Sequence, residues 1–134
     1  MWSPGMAEPF IDFNDAVRYK ISLSDSQREL IILRVATRSI ITPAFSREIG
    51  MSEELIAAPK VGASAPGLDA TQRLALSLTD DLVKERRASD VNLAQAIKVF
   101  GESGLNEIIM LVGCYVLACM LLRTWGVDIE QPKA

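Results

Sequence analysis

A glutamate, Glu29, stands at the head of the apolar run Leu30-Ile31-Ile32-Leu33. Partly removed from water in such surroundings, a carboxylate can serve as a general acid or base. The plainer alternative is a solvated first-turn glutamate that favours the helix dipole. Arg34 and Arg38 follow, and their four-residue step places both on one helix face. Two guanidinium groups on one face could hold a substrate carboxylate; the plainer alternative is a pair of surface ion pairs. Arg28 and Arg73 occupy matching places after two helix starts and read as ion-pair formers. Trp125, in Arg123-Thr124-Trp125-Gly126, could wall a pocket, or it could staple a helix end that Gly126 stops.

Composition narrows the chemistry. The chain contains no His and only two Cys, so imidazole-based zinc sites and Ser-His-Asp catalysis are excluded. Cys114 and Cys119 are five residues apart in one apparent helix, about 140° around its axis. They cannot pair there, and they read as buried small hydrophobes suited to a reducing cytoplasm. No metal site and no nucleotide-binding glycine motif is present, so no cofactor is expected. The net charge of −3 and scattered Lys and Arg give no cationic surface for a phosphate backbone, so no nucleic-acid partner is expected. The mixed first ten residues do not read as a signal peptide.

These side chains need a scaffold, and the patterning predicts helices throughout. The 134 residues fit one domain, with 49% hydrophobic but only 6% aromatic residues. Residues 1–15 read as a lead-in, and the first 22 or so as extended, partly ordered chain. Helix starts are predicted at Ser24 with Gln27 (a capping box), at Ser52, at Asp69 with Gln72 (a second box), and at Ser89 or Asp90. The helix after Ser24 is apolar on more than one face and must be central. A short helix is expected from Pro43 to Glu48 with Gly50 at its end, and a loop from Pro59 to Gly67. Leu74, Leu78 and Leu82 recur as an amphipathic stripe. The helix after Ser89 should turn Leu93, Ile97 and Phe100 inward and close at Gly101. The last helix, from about Leu105 to Thr124, has no charge between Ile108 and Leu122. That run is short of the roughly 20 residues a membrane span needs, so it reads as a core helix buried on all sides, with no membrane partner.

The ordered set of elements resembles a known family. Leu23-Ser-Asp-Ser-Gln-Arg-Glu-Leu-Ile-Ile-Leu-Arg-Val-Ala is similar to the first core helix of the carboxymuconolactone decarboxylase family, which includes alkylhydroperoxidase D-like proteins. Gly50-Met-Ser-Glu-Glu-Leu-Ile, residues 68–93 and Leu105-Asn-Glu-Ile-Ile-Met-Leu-Val-Gly-Cys-Tyr resemble its following helices, and Gly126-Val127 its ending. The likeness covers roughly residues 16–130. It implies an all-α, compact bundle of about six helices that assembles as a homotrimer or homohexamer. The implied activities are decarboxylation or isomerisation of small carboxylated lactones, and thiol-based peroxide reduction.

In the peroxidase branch of that family a glutamate precedes Cys-x-x-Cys and then a histidine. Glu29 matches the glutamate. Counted without a gap, the other positions fall on Ile41, Ala44 and Glu48; an alignment with a gap deletes the motif. Either way thiol peroxidase activity is disfavoured. The expectation is a cytoplasmic, cofactor-free lyase or isomerase acting on a small carboxylated lactone or β-keto-type metabolite. Glu29 is the acid–base candidate and Glu48 a second; Arg34 and Arg38, with the Thr42-Pro43 turn and Trp125, are the substrate-binding candidates. The alternative is a non-catalytic oligomeric binding or scaffold member of the same family. A helix-turn-helix regulator, with its similar Leu-Ser-x-x-Gln-Arg-Glu start, is the remaining reading, and the acidic charge balance argues against it.

Overall fold

The computed structural model describes residues 3–36 and 44–126. Among them are six helices and no strand: α1 (Pro4–Tyr19), α2 (Asp25–Val35), α3 (Ala44–Glu48), α4 (Glu53–Val61), α5 (Ala70–Glu85) and α6 (Asp90–Thr124). Local capping chemistry sets four of the starts. Ser24 Oγ accepts from the Gln27 backbone N–H at 3.2 Å while Gln27 Oε1 accepts from the Ser24 N–H at 3.1 Å. Asp69 and Gln72 repeat the exchange at 2.7 and 2.9 Å. Ser52 and Ser89 cap α4 and α6 through the N–H groups of Leu55 and Asn92. Each cap satisfies an N–H that helix geometry leaves without an intrahelical partner.

α2 is the axle. Leu30, Ile31 and Ile32 are all but fully buried. Leu30 joins a cluster with Met51, Ile56, Leu68 and Leu76. Ile31 and Ile32 join a second cluster with Val17, Leu78, Ile108, Leu111 and Tyr115. One helix thus supplies side chains to two cores, as its lack of a polar face requires. The C-terminal end of α2 is pinned as well. Arg34 Nε and Nη2 donate to the two carboxylate oxygens of Asp80 on α5, at 2.7 and 2.9 Å. Its Nη1 donates to the Pro59 carbonyl on α4 at 2.8 Å.

Four sequence expectations change. The first segment is not extended: α1 begins with Pro4 at its first turn and carries Pro9 within it. Pro9 costs one helical bond, to the Gly5 carbonyl. Gly5 is exposed, so water can take the place of that bond. The loop starts later than Pro59, because α4 runs on to Val61 and stops at Gly62, whose φ is 107°. In α6, Phe100 packs on the core as expected, but Leu93 and Ile97 are 39% and 41% exposed, and Ala96 is buried in their place. Gly101 closes the first segment as expected: with φ 74° and ψ 170° it breaks helical geometry and divides α6 into two helical segments that meet at a kink. The final stretch is buried on one side only. Leu105, Ile108, Leu111 and Tyr115 face the core, whereas Ile109, Met110, Leu117 and Met120 are exposed. α6 is long and apolar enough to cross a membrane by length and composition; here it packs against α1, α2 and α5.

Candidate functional site

Glu29 and Arg34 lie on the same helix but point to different places. Five residues turn a helix by about 140°, so when Arg34 faces α4 and α5, Glu29 faces α1 and α6. Glu29 is 3% exposed, and its Oε1 accepts from Arg18 Nη2 at 3.3 Å and from Arg28 Nε at 3.4 Å. Arg28 also reaches Asp25 at 2.9 Å. Arg18 Nη1 donates to the Tyr115 hydroxyl at 2.6 Å, and Asn14 Nδ2 lies 3.6 Å from Cys114 Sγ. Arg18, from α1, thereby links a carboxylate on α2 to a phenol on α6.

Burial and charge set the titration of this cluster. Removal from water pushes the Tyr115 hydroxyl above its ordinary value, although Arg18 pulls it back in part. Burial also raises the Cys114 thiol, with Asn14 opposing. Burial works against the Arg18 charge, but Tyr115 and Glu29 outweigh it and hold the guanidinium above its ordinary value. The phenol and the thiol therefore stay protonated, and Cys114 is no thiolate nucleophile. Buried charges of this kind persist only when paired. The cluster accordingly ties three helices together.

On the other side of α2 an open cleft of about 700 Å³ is bounded by α2, α4, α5 and α6. Its charged lining is Arg34, Lys60, Lys84 and Arg123, with Asp80 as the carboxylate among them. Its apolar lining is Val35, Val83, Val116 and Met120, with Cys119. Each cation comes from the last turn of a different helix. Arg34 is set by the Asp80 fork, and Gly62 makes room for it: a Cβ on Gly62 would lie 3.1 Å from Arg34 Nη2. Lys60, Lys84 and Arg123 are exposed.

The cleft wall includes Arg34 but not Glu29, Glu48 or Trp125. Glu48 is exposed at the end of α3, and Trp125 is 68% exposed beyond α6. Arg38 and Thr42 lie outside the described residues. Sequence reasoning misses Arg18 and Tyr115 as partners of Glu29, and Lys60 and Lys84 as companions of Arg34. The lysines carried a signal, since a cation in a helix's last turn is favoured by the dipole. What no local pattern shows is that four such ends meet. Among the described residues no group of acidic, Cys or His side chains could hold a metal ion. No family model, curated protein or solved structure matches the chain.

Proposed function

We propose that the protein is a cofactor-free lyase or isomerase that acts on a small carboxylated lactone or β-keto-type metabolite in the Arg34 cleft. One observation carries this reading: cations from four helices and apolar side chains line a single open cleft. Decarboxylation without a cofactor needs a substrate with its own electron sink. In a β-keto acid the carbon–carbon bond to the carboxylate breaks, CO₂ leaves, and the electron pair passes to the ketone oxygen as an enolate. The cleft's cations stabilise that oxygen as its charge grows. Lys84, one helical turn after Asp80, is the proton donor to the enolate carbon. The Arg34–Asp80 fork positions the wall. Glu29 sits outside this cleft and serves the α1–α2–α6 ion-pair cluster.

The test is a screen for CO₂ release or lactone isomerisation across short β-keto acids and unsaturated lactone carboxylates, without added metal or cofactor. Turnover above the buffer rate that is lost on replacing Lys84 by Gln supports the reading. No turnover of any member sinks it.

A second reading is a non-catalytic oligomeric binding or scaffold protein, and it draws on a different feature. Ile109, Met110, Leu117 and Met120 leave an apolar face of α6 exposed, which assembly as a trimer or hexamer would cover. Sedimentation velocity distinguishes such an assembly from a monomer.

A further inference from the structure

We infer that the ligand of the Arg34 cleft is a monoanion with an apolar body, rather than a dicarboxylate or a phosphate monoester. The inference rests on the cleft being the binding site and deepens that reading. Counted by side chains alone, four cations and one carboxylate leave three positive charges, which would favour a polyanion. That count omits the backbone. Arg34, Lys60, Lys84 and Arg123 each stand in the last turn of a helix, so the C-terminal ends of α2, α4, α5 and α6 all border the cleft. A helix C-terminus carries roughly half a negative charge. Four of them offset about two of the three positive charges and leave about one.

The geometry of Arg34 illustrates this offset. It spends one donor on the Pro59 carbonyl in the last turn of α4, at 2.8 Å, and its Nε and Nη2 on Asp80. Its charge thus serves the protein first. The cations left for a ligand are the exposed Lys60, Lys84 and Arg123 in the cleft lining.

The apolar lining supplies the rest of the specificity. Val83 and Met120 line the cleft yet are 37% and 56% exposed, with the half-buried Val35 and Val116 beside them. A ligand with a hydrocarbon body removes that surface from water. A second carboxylate would be partly desolvated against valine and methionine, with the net positive charge of about one already met by the first.

Three six-carbon probes separate charge from shape: hexanoate, adipate and 1-hexanol, titrated into the full chain and followed by the NMR signals of Val83, Val116 and Met120. The expected result is that hexanoate shifts these signals with a Kd at least fivefold below those of adipate and 1-hexanol. Lys84→Gln and Arg123→Gln should each weaken hexanoate at least threefold. Adipate binding as tightly as hexanoate overturns the inference. So does hexanoate binding that leaves these signals or its affinity in the variants unchanged, and so does the absence of binding by all three probes. Hexanoate binding in the cleft without turnover of any β-keto acid or lactone would sink the enzyme reading alone. Turnover combined with a preference for adipate would sink the monoanion alone.

Discussion

Glu29 shows how much a single residue's neighbours decide. Its sequence context, a carboxylate before four apolar residues, is equally compatible with catalysis and with structure. The partners that resolve it come from elsewhere in the chain: Arg18 is 11 positions from Glu29, and Tyr115 is 97 positions from Arg18. No local pattern reveals them. With Arg28 buried beside it and Arg18 half-buried, removing the Glu29 charge costs each guanidinium one carboxylate partner, while Arg28 keeps Asp25 and Arg18 keeps the Tyr115 hydroxyl. Glu29→Gln should therefore lower stability by about 1–3 kcal/mol, read as a lower denaturant midpoint. An unchanged midpoint would show that the arginines do not need it. Arg34 was legible as a candidate because of its spacing to Arg38, but its actual partner, Asp80, is 46 positions away. The cleft's other cations gave only the modest signal of a charge in a last turn.

At the scale of elements, what is local was readable and what is non-local was not. Four N-caps fall at the expected residues because a cap is a contact between positions three apart. α1 was hidden because Pro4, Gly5 and Pro9 resemble a loop. Its helix is secured instead by Val17 and Phe10 against the core and by Arg18 on Glu29 and Tyr115. The inward side of α6 was misjudged at Leu93 and Ile97, because a helix with apolar residues on several faces does not declare which of them meets its neighbours. Gly62 joins an element boundary to the cleft. Its φ of 107° and ψ of −156° suit glycine alone, and its missing side chain admits the Arg34 guanidinium. Gly62→Ala should cost about 1–3 kcal/mol and also weaken cleft ligands, because Arg34 must shift. A variant that melts lower but binds hexanoate normally would separate the two roles and contradict the link.

For the molecule as a whole, the upward shifts of Cys114 and Tyr115 predict a loss of stability at alkaline pH. Cys114 and Tyr115 have ordinary values of 9.0 and 10.0, and both are held protonated to higher pH by the fold. The unfolded chain loses these protons first, so their stabilising effect is complete below about pH 8 and declines as pH rises through 9 and beyond. Denaturant midpoints at pH 7.5 and 10.5 should fall in that order, and Tyr115→Phe should narrow the difference. Equal midpoints would show that neither group is coupled to folding. The two faces of α2 differ: an ion-pair cluster links α1, α2 and α6 on one side, and on the other lies a cleft lined by cations from four helix ends and by apolar side chains. The most direct test of that division is the kcat/KM for CO₂ release from 3-oxohexanoate, measured on folded wild-type protein, Lys84→Gln and Glu29→Gln. The cleft account predicts a loss of about a hundredfold for Lys84→Gln, the size expected of a lost general acid, and less than a threefold change for Glu29→Gln. Loss of activity in Glu29→Gln with Lys84→Gln unimpaired would contradict it and place the chemistry at the buried cluster.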